Sequence, residues 1–582
     1  MSPCASIGFA VLQAAAGDEI WFAGEFIEAV NVPKSVSILG KSVEVSPTPW
    51  ANCSGQFITG ACPIVRPPSG SDGFLINPGA AGSVTLSGVN VLNPDNASAV
   101  NVQSGELSLS RCNLNGRSGT PGIGVGGGGL FSGFATTARV SDCNFANNQA
   151  TSGGAIRSSG DLEVVSSFFS NNTATFTGGA IEADGPRVVI RDSTFEFNQS
   201  EDFGGALRLS PFQDPAIVAS STFNSNRSDR LGGAIAFFFT SFKLSGSTFN
   251  GNTLDVGPTN ARTGGAVYIA GSTGSITNTD FVNNLIIAPS GFERRGGGVA
   301  IESFSNVSIG QSTFISNQLT PESFGRQGGG LYIDESTVNL YQSEIRDNDH
   351  SGVYTRNATF TMSDTTIDGH QYGINDVSEP GSTVEITRST ISSNSDVGIF
   401  SLGESHFEVS NATIDSLDIA IASRQGGVVD IRSSTIVAPH DFGSSALLAF
   451  SGSLVGATDS IISGACSTQT NGSVNVPGSN RWDHSSCGFD EIENLDLGGL
   501  LPNGGLVMTR LPGAMTDAVD QGGQGCLSAP VSGFDGRGAL RDDGACDIGA
   551  VELPEPGFGL ALAIGISGLL TLSRGRQSRV PT

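Results

Sequence analysis

The sequence predicts an all-β solenoid, a right-handed single-stranded parallel β-helix of about 15 coils with an N-terminal cap. Three observations predict it. A segment of about two dozen residues recurs through the middle of the chain. Within each copy, apolar residues recur at period two around one Phe or Ile, flanked by Ser, Thr and Val, the signature of a strand. The composition is rich in turn formers, with 80 Gly in 582 residues and only 14% charged residues, which favours short strands and tight turns over helices.

The copies align by eye. They read SDCNFANNQATSGGAI (141–156), VSSFFSNNTATFTGGAI (165–181), RDSTFEFNQSEDFGGAL (191–207) and ASSTFNSNRSDRLGGAI (219–235), with three looser copies up to residue 333. The marker is Phe145, Phe169, Phe195, Phe223, Phe249, Phe281 and Phe314, then Ile345, Ile367, Ile391, Ile414, Ile436 and Ile461, with Val91 and Leu114 upstream. One coil cannot bury its marker alone, but stacked coils bury it in a ladder. At about 4.8 Å per stacked strand, the rod would be about 70 Å long. The L-x-x-L-x-L pattern of leucine-rich repeats is absent.

Three further positions carry readable physics. Three residues after the marker stands Asn148, Asn172, Asn198, Asn226, Asn252, Asn284, Asn317 or Asn348. Asn tolerates the left-handed backbone of a tight turn, and stacked Asn side chains form an amide ladder. Two residues before the marker stands a small group: Cys112, Cys143, Ser167, Ser193, Ser221, Ser247, Thr279 or Ser312. It shares the marker's inward face. A Gly-Gly pair then opens a second turn that needs positive φ or close approach.

Nine cysteines without a CxxC pair argue against a zinc site, and no metal site is expected. Their spacing predicts disulfides between Cys53 and Cys62, Cys112 and Cys143, Cys466 and Cys487, and Cys526 and Cys546, with Cys4 left over; such pairs imply an oxidising compartment. Cys112 and Cys143 hold the same place in adjacent coils, about 5 Å apart and within disulfide range. The net charge of −26, with only three lysines, excludes nucleic acid as a partner and suits an exported protein. No cofactor is expected. The acidic surface would attract Ca²⁺, but no Asp-x-Asp-x-Asp-Gly loop occurs to hold it.

The chain divides into an N-terminal cap and first coils (1–85), the repeats (86–465), a C-terminal cap or anchor-associated region (466–552), and a tail (553–582). The cap opens with a short helix over Ala10–Ala16, which would shield the first strand edge. Residues 1–16 lack a charged n-region and an apolar core, so the expected signal peptide is missing from this sequence. The tail holds Pro554, Glu555 and Pro556, sixteen small or apolar residues (557–572), and then Arg574, Arg576 and Arg579. The apolar run is short for a membrane span.

The F-x-x-N…G-G-A-I pattern resembles the polymorphic outer membrane protein repeat of bacterial surface β-helix proteins, over residues 141–333 and more weakly to about 465. The series LPG…DAVDQG…DGRG…CDIGAVE (511–552) resembles the choice-of-anchor Q domain of such proteins. The tail resembles a PEP-CTERM sorting signal, which implies an exosortase-type transpeptidase as partner and a membrane contact through the tail alone. Together these resemblances imply export to the cell surface or outer membrane.

Two kinds of site suggest themselves. Coils 345–391 gather Asp347, Asp349, His350, Arg356, Asp364, Asp368, His370, Asp376 and Arg388. Of these, Asp347, Asp364, Asp368, His370 and Arg388 are the candidates for acid–base work on a polysaccharide. Asp368-Gly369-His370 faintly resembles a polygalacturonase loop, yet His370 also falls in the Asn ladder position. The second kind is three insertions, Thr253–Thr263, Leu285–Arg295 and Leu319–Gln327, which project from one side of consecutive coils. They carry Asp255, Arg262, Phe292, Glu293, Arg294, Arg295, Glu322, Phe324 and Arg326, and insertions on one face of a solenoid often build a binding surface. The expected function is a secreted, surface-anchored β-helix with a structural or adhesive role, binding glycans or extracellular matrix. The alternative is a polysaccharide lyase or glycosidase acting on acidic polysaccharide.

Overall fold

The computed structural model describes residues 6–40, 63–93, 97–116, 127–255, 262–289, 292–320, 325–377, 381–441, 443–476, 480–487, 497–501, 503, 505, 507–512, 534–541 and 547–551. The chain folds as a right-handed parallel β-helix. Each coil contributes one strand to each of three sheets. Sheet A runs from Glu19–Phe22 to Ser473–Asn475, sheet B from Glu25–Phe26 to Arg481–Trp482, and sheet C from Val30–Val32 to Cys466–Gln469. Every strand pairs in parallel with its equivalent in the next coil, as Leu107 does with Ala138 and Ala138 with Leu162. Sheets A and B hold 18 strands each and sheet C 17, so the rod has more coils than the 15 expected. The extra ones come from the ends. Segments read as caps, such as Glu19–Phe22 and Arg481–Trp482, pair into the same ladders as the repeats. Seventeen spacings of about 4.8 Å give a rod of about 80 Å.

The helix covers Ile7–Gln13, three residues earlier than expected. Ser6 sets its start, because its hydroxyl accepts from Phe9 N at 2.9 Å. The Glu28 carboxylate accepts from Ile7 N at 2.6 Å and Gly8 N at 3.0 Å, a charge suited to a helix N-terminus. Ile7 and Val11 are buried against the first coil.

The core is built from ladders. The seven marker Phe rings stack with centroids 4.6–5.0 Å apart and planes within 15°. Val91 and Leu114 precede them in register, and Ile345, Ile367, Ile391, Ile414 and Ile436 follow. The last step differs from the expectation. Ile462, not Ile461, stacks on Ile436. Ile461 faces the other side of the sheet, where Ile548 covers it. Each inward Phe removes enough apolar area from water to contribute about 2–3 kcal/mol.

The Asn ladder forms, but not as the left-handed turn. Positive φ falls on the residue before each Asn: Asn147, Asn171, Phe197, Ser225, Gly251, Asn283, Ser316 and Asp347. The Asn itself points inward. From Asn172 to Asn348 each Oδ1 accepts from both the backbone N and the Nδ2 of the preceding Asn, as Asn252 does from Asn226 at 3.0 Å each. Nδ2 also donates to a marker carbonyl, as Asn226 does to Phe195 O at 2.9 Å. The ladder thus satisfies backbone groups that the turn leaves over.

The serine ladder explains a correction to the cysteines. Ser167, Ser193 and Ser221 each accept from the backbone N of the previous coil and donate to the carbonyl two residues back. Cys112 and Cys143 adopt this same pose, with Cys112 N donating to Cys143 Sγ at 3.4 Å and the thiols directed at Ser110 O and Ser141 O. Both sulfurs therefore point the same way along the stack, and both cysteines are free. Cys466 and Cys487 are bonded, with Cα atoms 4.8 Å apart. Cys4 and the pairs Cys53 with Cys62 and Cys526 with Cys546 lie outside the described residues.

At Gly153-Gly154 both reasons for glycine hold. Gly153 has φ +59°, and a Cβ on Gly154 would stand 2.2 Å from Gly179 O.

The described residues after 497 lie along the outer face of sheet B. Arg541, buried, donates to Asp547 O at 2.9 Å, Gly549 O at 2.8 Å and Asn411 Oδ1 at 3.2 Å. Arg510 pairs with Asp415 at 2.7 Å, and Ala550 N donates to Thr435 Oγ1 at 3.1 Å.

Candidate functional site

The acid–base candidates do not converge on one site, although Asp364 meets Arg388 and Asp347 N donates to Asp368 O at 3.0 Å. Asp364 and Arg388 form a two-toothed ion pair (2.9 and 2.8 Å) at the turn between sheets A and B. Asp368 is on sheet B, where Ser392 Oγ donates to it at 2.6 Å. Asp347 is an exposed turn residue 3.8 Å from Arg346. His370 is inside the rod, in the amide ladder between Asn348 (3.3 Å) and Asn394 (3.2 Å). Burial pushes its pKa down to about 4. Asp376 is also interior, accepting from Thr355 Oγ1 at 2.7 Å.

The insertions do align. Thr253–Asp255, Leu285–Ile287 and Gln318–Thr320 extend a fourth sheet, and Arg262–Thr263, Arg294–Arg295 and Arg326–Gln327 pair as a further three strands. Their side chains divide in role. Arg294 is fully buried and ties its own loop, with Nη2 donating to Ala288 O and Pro289 O at 3.0 Å. Asp255 pairs with Arg227 at 3.3 Å and Arg326 with Asp349 at 2.6 Å. Phe292 is half-buried and Glu293 exposed, the latter paired to Arg295. Glu322, Phe324 and the Arg262 side chain lie outside the described residues.

The strongest chemistry is on the outer face of sheet C, beside these insertions. Strand alternation turns every second residue outward, which here stacks Arg157, Glu182, Arg208, Ala236, Tyr268, Ala300, Tyr332, Tyr354 and Asn375 in one row. A wall stands beside it, formed by Thr177, Phe203, Leu231, Thr263, Arg295 and Gln327 in successive coils. Floor and wall together carry a continuous run of aromatic contacts. Phe176 meets Phe203 at 6.5 Å, Phe203 meets Phe238 at 5.2 Å, and Phe238 meets Tyr268 at 5.5 Å. Guanidinium groups lie on the rings: Arg230 over Phe203 (5.2 Å), Arg208 over Phe238 (5.7 Å) and Arg295 over Tyr332 (5.4 Å).

The run goes from open to enclosed. Phe176 is 51% exposed, Phe203 and Phe238 are half-buried, and Tyr268, Tyr332 and Tyr354 are buried. In the enclosed part, Tyr268 OH donates to Glu302 Oε2 at 3.1 Å, and Arg356 Nε donates to Asp334 Oδ1 at 2.8 Å. The Tyr332 hydroxyl has no partner among the described residues. Burial raises the pKa of Glu302, against the pull of Arg295 and Tyr268. Burial likewise pushes Tyr354 up to about 12 and holds His350 down at about 4, with Arg326 adding to the latter. Among the described residues no His, Cys, Asp or Glu cluster could hold a metal.

Sequence reasoning found the insertions and Arg295 but missed the row they shelter. A signal was present. The chain has five tyrosines, all between residues 268 and 372, and four lie on strands of sheet C.

Residues 239–414 match the model of a right-handed β-helix region. No curated protein matches the chain in sequence. Among solved structures, a mutant of the periplasmic alginate epimerase AlgG aligns at 9% identity and a TM-score of 0.29, covering 72% of this chain and 76% of the epimerase. The PL6 family alginate lyase AlyGC aligns at 10% identity and a TM-score of 0.21, covering 81% of this chain and 98% of the lyase.

Proposed function

We propose that this chain is the exported rod of a surface-anchored protein that binds glycan chains along the outer face of sheet C. The carrying observation is the run Phe176–Phe203–Phe238–Tyr268, with Arg208 and Arg230 on its rings. Aromatic faces accept the C–H faces of sugar rings, and nearby guanidinium groups bond their hydroxyl or carboxylate oxygens. A rod repeats its surface at a fixed spacing, which suits a polymer ligand. Export and anchoring are supported by the acidic composition and by the tail's Pro554-Glu555-Pro556, apolar run and arginines, the features of an exosortase substrate. The repeat pattern and the CDIGAVE series place the same emphasis on a bacterial surface protein. A glycan array probed with the full chain tests the reading. It predicts polysaccharide binding that the double variant Phe203→Ala, Phe238→Ala abolishes; a blank array rejects it.

One observation favours a second reading, cleavage of a polysaccharide. Glu302 is a carboxyl of raised pKa bonded to a tyrosine, with Arg295 beside it, and such pairs serve acid–base chemistry. Release of new chain ends from acidic polysaccharides, lost in Glu302→Gln, supports it; intact polymer after long incubation rejects it.

A further inference from the structure

The outer face of sheet C carries a second aromatic cluster, separate from the first and nearer the C-terminus. Val397, Ala422 and Leu448 form its buried base, with Tyr372, Phe400, Ile419 and Phe450 half-buried around them. In register, Tyr372 stacks on Val397 and Ile419, while Phe400 stacks on Ala422 and Leu448. Among the described residues no insertion walls this stretch, because the coils after residue 348 show no fourth-sheet strand. The rings therefore stay partly open to solvent.

Arg424 lies over this cluster. Its guanidinium carbon is 5.4 Å from the Phe400 ring centre and 4.4 Å from that of Phe450. Tyr372 contacts Phe400 edge-on at 5.9 Å. Most arginines on sheet C are matched by acids: Arg157 by Glu182 and Asp184, Arg356 by Asp334. Arg424 is exposed and has no carboxylate within 4.0 Å among the described residues. The nearby acid Asp396 is already engaged, accepting from Gln371 Nε2 at 2.7 Å and Ser395 Oγ at 3.2 Å. In a chain of net charge −26, a positive group lying over two aromatic rings, with no carboxylate within 4.0 Å among the described residues, is a place for an anion with an apolar face.

We infer that Tyr372, Phe400, Arg424 and Phe450 form a distinct subsite for an anionic saccharide, with Arg424 bonding a carboxylate or sulfate while the rings hold the sugar face. This rests on the reading of sheet C's outer face as a glycan surface and names the ligand's charge. Charge complementarity decides the class. The guanidinium gives two parallel N–H donors to a planar or tetrahedral oxyanion, and the acidic remainder of the rod repels anions that lack such a partner.

The test is calorimetric binding of the full chain to polygalacturonate, dextran sulfate and neutral dextran. Wild type is compared with Arg424→Gln and with Arg191→Gln, an exposed arginine on sheet A. The expected result is binding to one or both anionic polymers, weakened about tenfold by Arg424→Gln and unchanged by Arg191→Gln. Whether polygalacturonate or dextran sulfate binds distinguishes carboxylate from sulfate. Equal affinity for neutral dextran, an Arg424→Gln protein that binds like wild type, an equal loss in Arg191→Gln, or no binding to any of the three overturns the inference. The Phe203→Ala, Phe238→Ala protein separates the two readings. If it alone loses the polymer, the glycan face stands and the Arg424 subsite falls. If Arg424→Gln alone loses it, the upstream run is not the contact.

Discussion

Asn348 Nδ2 lies 3.3 Å from His370 Nε2, so a histidine ring stands inside the amide ladder where eight successive coils use asparagine. The contact works with a neutral ring that accepts from the amide. A proton on Nε2 would set donor against donor at a side chain only 3% exposed.

A pH dependence follows. The folded pKa of His370 is about 4, below the ordinary 6.5, because burial disfavours the charged ring. The unfolded chain therefore binds the proton first as pH falls. Stability should be full above about pH 6.5, decline as pH drops from there toward 4, and lose nothing more from this residue below 4. The loss from His370 would be about 3 kcal/mol at most. His350, also held at about 4, acts in the same direction. Urea midpoints between pH 8 and 4 measure the slope, and His370→Asn should flatten it; an unchanged slope means that His370 does not titrate on unfolding.

Asn226→Ala should destabilise the rod by about 3 kcal/mol. The change strands the backbone N and Nδ2 of Asn198, which donate to Asn226 Oδ1 at 3.1 and 2.9 Å, and frees Phe195 O. Asn226→Asp should cost more, since it buries a charge. Thermal midpoints check both.

Cys143→Ser should be nearly neutral, within about 1 kcal/mol, because serine fills this ladder position in the next coils. Alkylation of the unfolded chain without reductant should label both Cys112 and Cys143 and leave Cys466 and Cys487 unlabelled. Labelling of neither Cys112 nor Cys143 would show a bond that the structure lacks.

Arg541→Ala should loosen the segment after residue 497 from sheet B without unfolding the rod. It removes the bonds to Asp547 O, Gly549 O and Asn411 Oδ1. Limited proteolysis should then cut this segment several-fold faster, at the same thermal midpoint for the repeats.

The ladders were legible because each stacking position repeats one residue type: Phe145 to Phe314 sit in register as read. The ends were less legible, because Glu19–Phe22 and Arg481–Trp482 lack the repeated F-x-x-N pattern, although Ile20, Phe22 and Trp482 pack on the same core and Trp482 stacks on Ile462. Ile461 was misplaced by one residue, since Ile461 and Ile462 are equally apolar and only stacking on Ile436 chooses between them. The site was least legible. Phe203, Tyr268 and Arg295 come from different coils and meet only once the insertions wall the face. The outward parity of Tyr268 and Tyr332 reads as solvent exposure until that wall is known.

Affinity for the polysaccharide that the full chain selects, measured for wild type, for Phe203→Ala with Phe238→Ala, and for Phe134→Ala, tests the central claim most directly. Phe134 is 74% exposed, in the turn that follows strand Leu130–Ser132. The account predicts a loss of tenfold or more, about 1.4 kcal/mol or more, for the double variant and none for Phe134→Ala. An unchanged affinity in the double variant, or the same loss in Phe134→Ala, would contradict it.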